Sequence, residues 1–264
     1  MKRTNPILLA FHAAFLLFII SPLVVVVLVS FTSKGYISMP FGGASLRWYR
    51  DIANFPDFIA AFWRSVQLGV AAATMSVVLA VPAGMAIAWH RFPGRDFVLG
   101  LLLSPLAVPP IVLGIALLHF LTRVGGEDTM ASLVAAHTVV VLPYVIRLVV
   151  AGATGIDRTV AQAAESLGAS ALTAFRRIQL PMILPGIAGG WLIAFITSFD
   201  ELSMTIFVAS PQTQTLPVKM YAYIANTIDP LLASISTVLM VLALVLMLLL
   251  ERFYGLERVL GGEA

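Results

Sequence analysis

The chain has 264 residues, of which 60% are hydrophobic and 11% are charged, and its formal net charge is +3 at pH 7. With a mean hydropathy of +0.98, this composition excludes a water-soluble globular domain and indicates an integral membrane protein. The basic residues flank apolar segments, so the positive charge indicates orientation in a membrane rather than binding to nucleic acid.

Six apolar segments have about the 20 residues that a membrane-crossing helix needs. They are predicted at 7–31, 65–89, 97–122, 130–152, 185–209 and 231–250. The first follows a basic start but lacks a small-residue cleavage site, so it is predicted to be an uncleaved span. The fold class is therefore all-α integral membrane, with residues 1–264 forming a single transmembrane domain.

Orientation is predicted from the distribution of Lys and Arg. An N-terminus on the inside places ten of these residues inside and six outside. Basic residues favour the cytoplasmic side, so both termini are predicted to be cytoplasmic.

The third segment contains Pro105, Pro109 and Pro110. Prolines interrupt the hydrogen-bond ladder of a helix. Such a break is tolerated at membrane depth where protein or a water-filled cavity receives the freed groups. A bundle lining a pathway and an ordinary packed kink both satisfy this condition.

The longest polar segment on the predicted cytoplasmic side is the loop 155–184. Asp157 and Thr159 are predicted to cap a helix over 160–167, and Gly168 is predicted to end it. By helical spacing, one face of this helix carries Val160, Ala163, Ala164 and Leu167. A second helix is predicted over 169–179, ending at Leu180 because Pro181 follows.

This segment carries a spaced motif: Q-A-A, three residues, glycine, nine residues, I-x-L-P. It resembles the cytoplasmic loop of membrane subunits of binding-protein-dependent ABC importers, in which the first position is more often glutamate. The matching residues are Ala163, Ala164, Gly168, Ile178, Leu180 and Pro181. Gln162 departs from the family pattern, because it stands where glutamate is more common. It lacks the charge with which a glutamate would form a salt bridge to the ATPase.

The resemblance implies a type I ABC importer permease fold, with a coupling helix between spans 4 and 5 that docks on an ATPase subunit. The implied ATPase-coupling residues are Gln162, Ala163, Ala164, Leu167, Gly168, Ile178, Leu180 and Pro181. The implied partners are a second permease subunit in a heterodimer, two cytoplasmic ATPase subunits and an extracytoplasmic binding protein. The implied location is the bacterial inner membrane, with ATP and Mg bound by the partner ATPase and no cofactor bound by this chain.

The segments GWLIAFITSFDELSMTIFV and LPVKMYAYI resemble the polyamine (spermidine/putrescine) subfamily, in particular its second membrane subunit. The first segment holds Asp200 and Glu201. Each carboxylate costs about 2.5–3.5 kcal/mol at a bilayer centre, and intramembrane acids commonly mark substrate paths.

On a continuous helix, Glu201 shares a narrow polar stripe with Thr197, Ser198 and Thr205. These residues and Asp200 are the predicted substrate-pathway residues for a cationic solute, with Glu201 facing the pathway more squarely. The alternative is structural: either acid pairs with an arginine of a partner subunit or caps a locally broken helix.

The chain is not predicted to be an enzyme. A P-loop requires G-x-x-x-x-G-K-[ST], and none of Lys2, Lys34 and Lys219 follows such a glycine loop. No cysteine is present and the four histidines have no metal-binding spacing, so no metal site is predicted. The alternatives are an importer of another solute (an opine, an aminophosphonate, another amine or an anion) and a self-sufficient secondary carrier or channel.

Overall fold

The computed structural model describes residues 6–157 and 159–254. Within them the chain is helical, and five helices are long and apolar enough to cross a membrane, or six when a bent pair is counted as one span. The predicted all-α membrane fold is confirmed. Lys2, Arg3, Arg158 and Arg258, which contributed to the predicted orientation, lie outside the described residues.

The helices are, in chain order, α1 Pro6–Ser30, α2 Arg47–Asp51, α3 Pro56–Trp89, α4 Arg95–Leu103, α5 Pro110–Arg123, α6 Met130–Thr154, α7 Thr159–Ser166, α8 Ala171–Ala174, α9 Leu180–Asp200, α10 Thr205–Val208, α11 Leu216–Ile224 and α12 Leu231–Tyr254.

Two compact units make up the chain. The first contains residues 1–59 and 220–249. In it, the Ser234 hydroxyl at the start of α12 donates to the Ser30 carbonyl at the end of α1, over 3.3 Å. The second unit contains residues 60–219 and 250–264, and it holds every residue of the candidate site described below.

The core of the second unit lies between α6 and α9. Val145 and Val149 of α6 and Ile183 of α9 are fully buried there. Gly186 of α9 lets the two backbones approach closely, since a Cβ at this position would lie 2.8 Å from the Leu148 carbonyl oxygen. Small residues serve this purpose at helix contacts in membranes. This pair of helices fixes the frame on which the site is built.

Gly186→Ala is expected to destabilise the protein by about 1–3 kcal/mol, the usual cost of overpacking. The added methyl meets backbone, which cannot rotate away as a side chain can. Gly100→Ala in α4 is the matched control, because nothing lies within 4 Å of its Cβ position. Thermal unfolding of the purified variants in one detergent measures the difference, and equal midpoints for the two variants would contradict the expectation.

The predicted third span is broken, as its prolines indicated. After α4 the chain makes a 3₁₀ turn over Ser104–Ala107, and Pro109 has an extended conformation with ψ of 133°. Pro110 then starts α5. A proline is tolerated there because the first N–H groups of a helix form no hydrogen bond within the helix. The helical segments on the two sides of the break differ in direction by 106°, so residues 97–122 do not form one straight helix.

The second helix predicted in the loop 155–184 does not stop at Leu180, and that prediction was wrong. The chain passes from α8 through a π-helical turn, Phe175–Gln179, directly into α9. A proline ring clashes with the carbonyl four residues earlier in a regular helix, and for Pro181 that carbonyl lies inside the π turn. The widened turn accommodates the ring, so residues 171–200 form one helical segment.

Candidate functional site

The predicted coupling segment forms the short helix α7. The Asp157 carboxylate accepts the Thr159 backbone N–H over 2.9 Å. This bond holds the pKa of Asp157 below its usual value. At the other end, Gly168 has a φ of +92°, a left-handed conformation that glycine adopts without strain.

Two backbone bonds close the C-terminus of α7. The Gly168 N–H donates to the Glu165 carbonyl over 2.9 Å, and the Ala169 N–H donates to the Ala164 carbonyl over 3.0 Å. This pair of bonds is a Schellman motif. The helix is therefore defined at both ends by its own sequence.

One face of α7 is open. Leu167, just past the helix, is 89% exposed, and Val160 is 44% exposed. Ala163 is exposed between them, whereas Ala161 is buried and Ala164 is half-buried. Ala164 thus lies at the edge of the predicted face rather than on it. An exposed leucine and valine beside a small alanine form a surface that a partner groove can approach closely.

The other predicted coupling residues connect α7 to the membrane helix. Gly168 separates α7 from α8, and Ile178 lies in the π turn. Leu180 and Pro181 form the first turn of α9. The segment from residue 171 to 200 is one continuous helical element, so it links the loop that holds α7 to Asp200 at its far end.

The far end of α9 corrects the predicted span 185–209. The helix ends at Asp200, since Glu201 is extended with ψ of 118°. A single turn, α10, follows. Thr205 therefore lies beyond the break, and the predicted stripe of Thr197, Ser198, Glu201 and Thr205 on one continuous helix does not exist.

The Glu201 carboxylate caps α10. One oxygen accepts the Met204 N–H and the other accepts the Thr205 N–H, both over 2.8 Å. The Thr205 hydroxyl donates to the second oxygen over 2.5 Å. These bonds supply partners for N–H groups that a helix start leaves unpaired. The structural alternative, a carboxylate capping a broken helix, describes the geometry of Glu201.

A buried imidazole joins both sides of the break. His137 of α6 is fully buried; its Nδ1 lies 2.8 Å from the Ser198 Oγ and its Nε2 lies 3.0 Å from the Thr205 Oγ1. Ser198 belongs to α9, before the break, and Thr205 follows it. His137 is therefore a packed, hydrogen-bonded imidazole.

Asp200 has a different environment from Glu201. Its side chain is exposed, and it forms no ion pair or hydrogen bond with the other residues that the structure describes. Thr197 is half-buried, whereas Ser198 and Thr205 are buried in the imidazole network. Of the two acids among the predicted pathway residues, Asp200 is therefore the one whose carboxylate has no partner among the described residues.

Residues 80–256 match the family described as "Binding-protein-dependent transport system inner membrane component". The chain belongs to this family. It is the permease subunit of an ABC importer, as the spaced motif of the cytoplasmic loop predicted. Permeases of such importers operate with further permease, ATPase and binding-protein subunits.

Relatives of this permease match most of its length. The spermidine/putrescine transport system permease protein PotC of Escherichia coli (strain K12) is 30% identical over 238 residues, which cover 90% of each chain. The putrescine transport system permease protein PotI of the same organism is 28% identical, covering 84% of this chain and 82% of the relative. The molybdenum transport system permease protein ModB of Haemophilus influenzae is 32% identical over 61% of this chain and 79% of its own.

Solved structures share the permease fold. A bacterial ABC transporter involved in the import of the acidic polysaccharide alginate matches with a TM-score of 0.75 at 14% identity, covering 96% of this chain and 99% of that one. The MetNI methionine ABC transporter matches with a TM-score of 0.60 at 19% identity, covering 78% of this chain and 96% of that one.

The sequence did not reveal how the polar residues of the permease pair. His137 is 61 residues from Ser198 and 68 residues from Thr205, so no local pattern indicates the network. The signal that was available is a histidine and two hydroxyl residues within apolar segments, where an unpaired polar group is costly.

Proposed function

We propose that this permease forms half of the translocation path for a small cationic solute, a polyamine such as spermidine or putrescine. The observation that carries the proposal is the Asp200 carboxylate, which is exposed at the end of a membrane-crossing helix without a partner among the described residues. Burying a carboxylate at membrane depth is costly unless it faces a water-filled cavity, a partner or a substrate path.

The chemistry of the break favours a cation. In a medium of low dielectric constant, a carboxylate attracts protonated amines strongly and repels anions. Asp200 supplies this charge at the break between α9 and α10. The Glu201 carboxylate instead accepts hydrogen bonds from Met204 and Thr205 at the start of α10. We therefore assign Asp200 the main pathway role and Glu201 the role of holding the backbone that carries it.

Movement of the path is driven from α7 in this proposal. The exposed Val160, Ala163 and Leu167 dock in a groove of a cytoplasmic ATPase subunit, which binds ATP and Mg²⁺. ATPase closure displaces α7, and the π turn and α9 carry the displacement to Asp200. The complete importer contains a second permease subunit in a heterodimer, two ATPase subunits and an extracytoplasmic binding protein, with both termini of this chain in the cytoplasm.

The names of the relatives support a polyamine and also raise one other cargo. PotC and PotI are named for spermidine and putrescine transport, whereas ModB is named for molybdenum transport. An oxyanion is therefore the second candidate cargo. The exposed Asp200 opposes it, because like charges repel at this position.

The cargo is tested by ATP hydrolysis in the purified complete complex. The binding protein is added empty or loaded with putrescine, spermidine or molybdate, and hydrolysis is measured for each. Stimulation by the two polyamines and none by molybdate is expected. Stimulation by molybdate alone would assign the oxyanion and end the polyamine proposal.

A further inference from the structure

The imidazole of His137 connects the two sides of the break in a fixed order of donors and acceptors. The Glu201 carboxylate can only accept hydrogen bonds, so the Thr205 hydroxyl donates its proton to that carboxylate. Thr205 Oγ1 must then accept from Nε2–H of His137. The neutral imidazole has its lone pair on Nδ1, which accepts the Ser198 hydroxyl proton. Every polar atom in the chain of bonds is paired.

The network also holds together two residues that lie on either side of Asp200 in the chain. Ser198 lies two residues before Asp200, and Thr205 lies five residues after it. Both hydroxyls contact one rigid ring whose position is set by α6. Ser198, His137 and Thr205 are 2%, 0% and 0% exposed, so water does not compete for these bonds. The ring therefore joins the last turn of α9 to the first residue of α10.

Apolar packing holds the same segment in register with α5 and α6. Met204, in the turn capped by Glu201, is fully buried with Leu121 of α5 and with Leu133 and Ala136 of α6. His137 immediately follows Ala136 in α6. The side of the break that faces α6 is thus packed and hydrogen-bonded, whereas Asp200 is exposed.

We propose that His137 is a positioning residue for Asp200: it does not contact the transported solute, and it holds the carboxylate at its place on the path through Ser198, Thr205 and Glu201. This inference rests on the proposed function, because it concerns the acid assigned there. Loss of the imidazole releases both ends of the break, so Asp200 samples positions away from the path.

The position of residue 200 can be measured without transport. The chain has no cysteine, so Asp200→Cys introduces its single thiol. The labelling rate by a cationic methanethiosulfonate reagent is measured in the assembled complex, with this chain resolved from its partners by electrophoresis. The backgrounds are wild type, His137→Leu, His137→Gln and Ser198→Ala.

His137→Leu is expected to raise the labelling rate about thirtyfold, the factor that two lost buried hydrogen bonds bring to an opening equilibrium. His137→Gln, whose amide supplies one donor and one acceptor, is expected to stay near the wild-type rate. His119→Leu is the matched control, because His119 is an exposed histidine of α5. Ser198→Ala, which removes one bond, is expected to give an intermediate rate and keeps the test valid if His137→Leu does not assemble.

The result that overturns the inference is an unchanged labelling rate in assembled complexes carrying His137→Leu or Ser198→Ala. A failure of the proposed function looks different: Asp200→Asn alone would then leave uptake unchanged, whatever the labelling rates are. In transport assays, His137→Leu is expected to raise the KM for the polyamine, and His137→Gln is expected to restore it. Combining His137→Leu with Asp200→Asn is expected to add little to the loss caused by Asp200→Asn alone.

Discussion

Leu167→Asp is expected to reduce ATP-driven uptake by at least about tenfold, the factor associated with loss of an interface hot spot. Leu167 is 89% exposed beside the Schellman turn, so the substitution leaves the fold of α7 intact. In the proposed docking, however, the new carboxylate would be buried without a partner in the ATPase groove, which is strongly unfavourable. The ATPase subunit is also expected to be lost from the complex during purification.

Leu172→Asp is the matched control for this substitution. Leu172 is also an exposed leucine of the loop 155–184, at 63% exposure, but it belongs to α8. This control is expected to keep the ATPase bound and uptake near the wild-type level. Equal effects of the two aspartates would indicate that charge in the segment, rather than contact through the α7 face, determines coupling.

Asp200→Asn is expected to lower polyamine uptake about tenfold at low solute concentration, the factor that corresponds to about 1.4 kcal/mol of lost attraction between the carboxylate and the amine. The substitution keeps the size of the side chain and removes its charge. Because Asp200 has no partner among the described residues, the thermal midpoint is expected to stay unchanged. Initial uptake rates over a range of putrescine concentrations measure the effect.

Glu201→Gln is expected to reduce stability, which Asp200→Asn leaves unchanged. Its carboxylate accepts hydrogen bonds from two backbone N–H groups, so the amide is expected to cost about 1 kcal/mol of stability through the weakened cap.

Glu127→Gln, which changes an exposed acid in the turn before α6, controls for the loss of negative charge in Asp200→Asn. Wild-type uptake by Asp200→Asn, or an equal loss in Glu127→Gln, would remove Asp200 from the path.

Hydropathy and local capping signals predicted much of the fold. The apolar segments located the membrane helices, and the spacing from Asp157 to Gly168 predicted α7 with its Asp157 cap and its Gly168 end, because both features depend on neighbouring residues; Thr159, also predicted as a cap, is instead the first residue of α7. The prolines at 105, 109 and 110 likewise predicted the break between α4 and α5, since their geometry is a local property.

The errors arose where side chains compete with the helix. LSMTIFV is as apolar as a membrane span, so hydropathy did not reveal that Glu201 binds the backbone of Met204 and Thr205. Pro181 normally predicts a helix end, but the π turn before it widened the helix. The sequence therefore favoured Glu201 over Asp200 as the pathway acid, whereas the structure favours Asp200. Once α9 ends at Asp200, Glu201 is a cap and Asp200 is the exposed charge.

The most direct test of the account is polyamine uptake into proteoliposomes that contain the complete importer. Uptake of labelled spermidine is measured with ATP on the side of the ATPase subunits, with a non-hydrolysable analogue, and with an imposed proton gradient alone. The account predicts uptake only with hydrolysable ATP and the binding protein present. Spermidine uptake driven by the gradient without ATP would contradict it and would support a self-sufficient secondary carrier.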